Sequence, residues 1–141
     1  MFTQNDAVAA YAEAVFASHP DEFRELLDEA APCRIAYVHS DREKKSNGRT
    51  VYADTTKVSD LMKALCHFDF VICFYGPACE DLPEAVLELL MYHELLHVGY
   101  EPRLGKCWLI PHDIEDFDRI IRRYGIDWIH GVGIDADSKG E

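Results

Sequence analysis

No apolar run in this chain approaches the ~20 residues that span a bilayer. Its opening residues, Met1-Phe2-Thr3-Gln4-Asn5-Asp6, lack the basic head and apolar core of a secretory signal. Together these absences point to the cytoplasm, with no membrane partner. There is no C-x-x-C pair, and the cysteines are five in number: Cys33, Cys66, Cys73, Cys79 and Cys107. An odd, unclustered set suggests neither a disulfide framework nor a zinc ribbon, which leaves buried free thiols as the expectation. Positive charge is scarce as well. Fourteen Lys and Arg against 26 Asp and Glu give a formal net charge of −12, a field that repels a phosphate backbone. The one basic cluster, Arg42, Lys44 and Lys45, is interleaved with Asp41 and Glu43 and reads as a solvated loop. No nucleic-acid partner is expected. No repeat, low-complexity tract or Pro/Gly-rich linker divides the chain, so residues 1–141 are expected to form a single domain.

What is present is a globular composition, 48% hydrophobic and 28% charged over 141 residues, enough to bury a core. The periodic, Ala-rich stretch from Asp6 to Ala17 predicts a helix ended by His19-Pro20, and Asp21 can cap a second short helix to about Glu29. Arg34 to Val38 alternates as a strand does. Ser40 to Gly48 reads as an exposed loop, and Thr50 to Ala53 as a short strand. Ser59 can cap a helix to about Cys66. The β-branched and aromatic run from Phe68 to Tyr75, stopped by Gly76-Pro77, is the strongest strand signal. Asp81-Leu82-Pro83-Glu84, with Asp81 as cap and Pro83 in the first turn, starts a helix that should run to about Val98, where Gly99 can end it. Cys107 to Ile110 reads as a strand, and Pro111 opens a last helix to about Tyr124. The order predicts an α+β fold: a small, short mixed sheet packed against one long helix and its flanking helices.

That long helix carries His93-Glu94-Leu95-Leu96-His97, an H-E-x-x-H motif. Residues four apart on a helix differ by roughly 40° around the axis and ~6 Å along it. Two imidazoles so placed can reach one Zn²⁺ at ~2.0–2.1 Å. Glu94, one step on, is offset from the metal and suited to taking a proton from water. Val86, Leu90, His93 and His97 form one stripe with Leu89 and Leu96 flanking, so the histidines extend an apolar face. Shuffling a chain with 7 His would produce the motif in roughly 3% of cases, and the amphipathic setting makes coincidence rarer still.

Catalytic zinc usually takes three protein ligands and keeps a fourth position for water. Downstream candidates are Glu101, Cys107, His112, Asp113, Glu115, Asp116 and His130. His112 is best placed, after a loop and strand that can turn the chain back over the metal, with His130 in reserve. Asp113 and Glu115 suit a helix N-terminus, and Asp113 or Asp116 could orient a ligand imidazole. Ile114, Phe117, Ile121 and Tyr124 read as the core stripe of the last helix, and His19, His39 and His67 as structural or exposed.

The blocks Tyr92-His93-Glu94-Leu95-Leu96-His97, Pro111-His112-Asp113-Ile114-Glu115-Asp116-Phe117 and Tyr124-Gly125-Ile126-Asp127-Trp128 resemble those of the putative phage metallopeptidase family, as does Asp69-Phe70-Val71-Ile72. The resemblance runs from Asp69 to Trp128, and the first 60 residues add nothing recognisable. It implies a small zincin-like domain with His93, His97 and His112 on zinc and Glu94 as catalytic base.

The expected function is therefore zinc-dependent hydrolysis of peptide bonds in a peptide or protein substrate, with Glu94 as general base. The Phe70 to Tyr75 strand, if it borders the cleft, can pair with an extended substrate. Tyr100, Arg103, Lys106 and Tyr124 are candidates to stabilise the oxyanion. The alternatives are a zinc amide hydrolase of small substrates, and a non-catalytic binding or regulatory module held together by zinc.

Overall fold

The computed structural model describes residues 1–111 of the chain. In chain order they form β1 (Phe2–Gln4), α1 (Asp6–Ser18), β2 (Ile35–Ser40), β3 (Lys45–Ser46), β4 (Arg49–Thr50), β5 (Ala53–Lys57), α2 (Asp60–Cys66), β6 (Phe70–Tyr75), α3 (Gly76–Cys79), α4 (Glu84–Leu95), β7 (Val98–Glu101) and β8 (Lys106–Leu109). The fold is α+β, as expected. The last helix expected from Pro111 lies outside the described residues.

Local chemistry accounts for most of these boundaries. The Asn5 side chain accepts from Val8 N–H to cap α1, and Ser59 accepts from Met62 N–H to cap α2. The helix expected over Asp21 to Glu29 is instead a set of turns, with Phe23 N–H bonded to His19 C=O and Leu26 N–H to Phe23 C=O. Phe23 and Leu26 are both buried. One turn suffices to bury them, and Asp28 to Ala31 offer no further apolar face worth a longer helix. The expected loop of 40–48 carries a hairpin, β3 against β4, turned by Asn47 (φ 53°) and Gly48 (φ 77°). An Asn-Gly pair tolerates the two positive φ values of such a turn. The expected Thr50 to Ala53 strand is split between β4 and β5.

The main sheet has the order β1-β2-β6-β5. β2 runs parallel to β6, pairing Ile35 with Phe70 and Ser40 with Tyr75, while β1 and β5 are antiparallel to their neighbours. Among the described residues β6 is thus an interior strand and β5 an edge. Along β6, Phe70, Ile72 and Phe74 point to one face and are buried. Helices α1 and α4 close that face through Val8, Ala12, Val15, Val86, Leu90, Met91 and Leu95, with Tyr11 stacked on Phe74 at 5.9 Å. At the start of β6 the buried Asp69 carboxylate accepts from Arg34 N–H (2.8 Å) and pairs with Lys63 Nζ (3.3 Å), which satisfies a charge that would otherwise be costly.

β7 and β8 form a separate hairpin in which Gly99 lies opposite Trp108. A Cβ at Gly99 would run into the Trp108 indole. Gly99→Ala is expected to displace that ring and lower stability by about 1–3 kcal/mol in urea unfolding, with a blue or red shift of Trp108 fluorescence. An unchanged unfolding midpoint would count against this packing.

Candidate metal site

Helix α4 begins at Glu84 with Pro83 at its N-cap, not with Asp81 as a side-chain cap. It ends at Leu95, three residues before the expected Val98. Leu96 N–H still bonds to Tyr92 C=O and His97 N–H to Glu94 C=O, so the last turn tightens before β7 starts at Val98. Gly99 therefore serves the hairpin, where its lack of a side chain admits Trp108, and does not terminate the helix. His93 lies in the last turn of α4 and His97 in the turn that follows it. Their rings remain neighbours, with centroids 5.3 Å apart and planes at 82°.

One ligand atom each from His93, Glu94 and His97 lie within 4.8 Å of one another, a group that could hold a metal ion. Val86 and Leu90 are buried as the stripe predicts, but the depth order of the motif is reversed. Glu94 is the buried member, 4% exposed, while His93 and His97 are half-buried and Leu96 is exposed. The carboxylate sits below and the imidazoles nearer the surface.

His97 is oriented by the strand that follows. Its Nδ1 lies 2.6 Å from Ile110 C=O, and Ile110 N–H returns a bond to His97 C=O at 2.8 Å. A carbonyl only accepts, so Nδ1 carries the proton and Nε2 the lone pair that a cation takes. This carbonyl–imidazole pairing is the support a metal-binding histidine needs to keep its tautomer and angle.

Glu94 is held by the edge strand. Thr55 Oγ1 stands 2.7 Å from Glu94 Oε1 and 3.2 Å from its main-chain oxygen. Burial pushes the Glu94 carboxyl up to about 7; the Thr55 hydrogen bond opposes this and the Asp54 carboxylate adds to it. Asp54 is itself paired with Lys44 Nζ at 2.5 Å and accepts from Tyr75 Oη at 2.8 Å. Burial and that bond keep the Tyr75 phenol in its donating form.

These side chains open into a cleft of about 520 Å³ lined by Ala53, Asp54, Thr55, Glu94, His97, Leu109, Ile110 and Pro111. Of the sequence candidates, His93, Glu94 and His97 come together, whereas His112, Asp113, Glu115, Asp116, Tyr124 and His130 lie outside the described residues. Glu101 and Cys107 do not join the group. Glu101 accepts from Leu104 N–H in the hairpin turn, and Cys107 Sγ lies 3.7 Å from Lys63 Nζ. Tyr100, Arg103 and Lys106 do not line the cleft either, and the Tyr100 hydroxyl is spent on Ala31 C=O at 2.6 Å. The main-sheet strand bordering the cleft is β5, not the interior β6, with Leu109 of β8 across from it. All five thiols are free, but only Cys73 and Cys79 are buried, and Cys66 is exposed. Sequence reasoning missed Thr55 and Asp54, whose relation to Glu94 spans about 40 residues and leaves no local pattern.

Among the described residues no helix is long and apolar enough to cross a membrane. No curated protein and no solved structure matches the chain. The family model described as putative phage metallopeptidase matches residues 1–133, taking in the N-terminal segment that carries no recognisable motif of its own. With that match over nearly its whole length, and an H-E-x-x-H group folded so that it could hold a metal ion, the chain belongs to the putative phage metallopeptidase family.

Proposed function

We propose that the protein is a zinc-dependent peptidase formed by residues 1–141 as one zincin-like domain, with His93, His97 and His112 as zinc ligands and Glu94 as general base. The observation that carries this reading is the convergence of two imidazoles and a buried carboxylate within 4.8 Å of one another, with Glu94 and His97 lining a cleft. His112 directly follows Pro111, a residue of the cleft wall, which supports it as third ligand. When bound, zinc supplies Lewis acidity, lowering the pKa of water toward ~7 and polarising the scissile carbonyl. Glu94 accepts the proton of the attacking water and delivers it to the leaving amine. The Ile110 carbonyl keeps the His97 ring in one orientation throughout.

The cleft suits an extended chain. Tyr75 N–H bonds to Tyr52 C=O and Val58 N–H to Asp69 C=O, which sets the phase of the β5–β6 ladder. Even-numbered residues of β5 therefore exchange bonds with β6, while Ala53, Thr55 and Lys57 turn their N–H and C=O to the outer edge. Ala53 and Thr55 line the cleft, so a substrate strand can add to this edge. An edge to which no strand is paired among the described residues favours a peptide over a small amide. Purified without added metal, the protein is expected to carry one equivalent of zinc, with most of it lost in His93→Ala and in His112→Ala. It is expected to cleave quenched fluorescent peptides in a manner stopped by a chelator and restored by zinc. Full zinc occupancy in both variants, or zinc-loaded protein that cleaves no peptide, would overturn the assignment.

A further inference from the structure

We infer that Thr55 is a positioning residue that aligns the Glu94 base with the peptide backbone docked on its own strand; this rests on the peptidase reading above. A hydroxyl donates a single proton, and of the two Glu94 oxygens near Thr55 Oγ1 the carboxylate Oε1, at 2.7 Å, is closer than the main-chain oxygen at 3.2 Å. A bond to an ionised acceptor is also the stronger one. Thr55 belongs to a different element from Glu94, so this bond ties the carboxylate to the sheet and not merely to its own helix. At 4% exposure Glu94 has little solvent to orient it, and a side chain with three rotatable bonds is restricted by such a contact.

Thr55 also faces the substrate side. It lies opposite Ile72 in a pair that does not exchange hydrogen bonds, so its backbone groups turn to the cleft edge while its hydroxyl reaches α4. One residue thus fixes both the height of a docked strand and the angle of the base. Holding Oε1 leaves Oε2 for proton transfer. A change in substrate register and a change in base orientation are then coupled through a single rigid strand residue.

The test compares Thr55→Val, which keeps the branched shape without the hydroxyl, with Thr55→Ser, which keeps the hydroxyl. With zinc content unchanged in both, Thr55→Val is expected to lower kcat roughly 10- to 100-fold with little change in KM. Thr55→Ser is expected to regain most of the loss. A second arm reads the contact without activity, in urea unfolding of the metal-free protein. Thr55→Val should lower the midpoint in the wild-type background and have much less effect in the Glu94→Ala background. Unaltered kcat in Thr55→Val, failure of Thr55→Ser to recover, or an equal midpoint shift in both backgrounds would each overturn the inference. If the wild type cleaves no peptide, the peptidase reading falls, while the unfolding cycle still decides whether Thr55 holds Glu94.

Discussion

Glu94→Gln is expected to lose peptide hydrolysis by about 10²–10⁴-fold while keeping the metal, because Gln has nearly the same shape but cannot accept and return a proton. A second consequence runs the other way. The Glu94 carboxyl is pushed from its ordinary value of 4.5 up to about 7 by burial. Below pH 4.5 the folded and unfolded chains both hold this proton, so the group has no effect on stability. Between pH 4.5 and 7 the unfolded chain releases the proton while the folded one retains it, and stability falls as pH rises. Above pH 7 the penalty is complete, on the order of 3 kcal/mol at most. Metal-free Glu94→Gln should therefore be more stable than metal-free wild type at pH 8, and the difference should vanish at pH 4. Paired urea titrations at the two pH values, beside peptide turnover and metal content at pH 7, check all of this. Retained turnover would remove Glu94 as base, and a stability gap independent of pH would remove the buried carboxyl as its cause.

Leu90→Ala carries the largest expected cost to the fold. Leu90 is fully buried in α4 among Val86, Met91 and Leu95, against the Phe70, Ile72 and Phe74 face of the sheet. Truncation removes apolar contacts and leaves a cavity that close-packed neighbours fill only in part, which costs about 2–5 kcal/mol. Leu90 is three residues before His93 and four before Glu94, so it anchors the helical turn below the site. Weaker metal retention should accompany the lost stability. Leu96→Ala is the control: Leu96 is 40% exposed, and its loss should stay within about 0.5 kcal/mol. Equal costs for the two variants in urea unfolding would refute the assigned burial.

Much of this site is legible in the order of the amino acids. H-E-x-x-H is a local pattern, and the end of one helix with the tight turn after it brings its side chains together. The Phe70 to Tyr75 strand is equally plain, because a β-branched and aromatic run bounded by Gly-Pro has few other fates. The Ser59 cap follows the same logic, being a bond to a group three residues away.

Depth and neighbours are not legible in that way. Periodicity groups His93 and His97 with Val86 and Leu90, yet the carboxylate is the deepest member because β5 lies over that side of α4. The helix stops early because a hairpin forms, and the hairpin needs Gly99 beneath Trp108, a contact made nine residues along the chain. Thr55 meeting Glu94, and Ile110 meeting His97, are contacts between separate elements that no local propensity encodes. Residue types and their spacing along one helix are enough to say which atoms can bind a metal or move a proton, since those are properties of the side chains themselves. Which of them are buried, which tautomer a backbone carbonyl enforces and which strand faces the cleft follow from packing alone, since each depends on segments far apart in the chain.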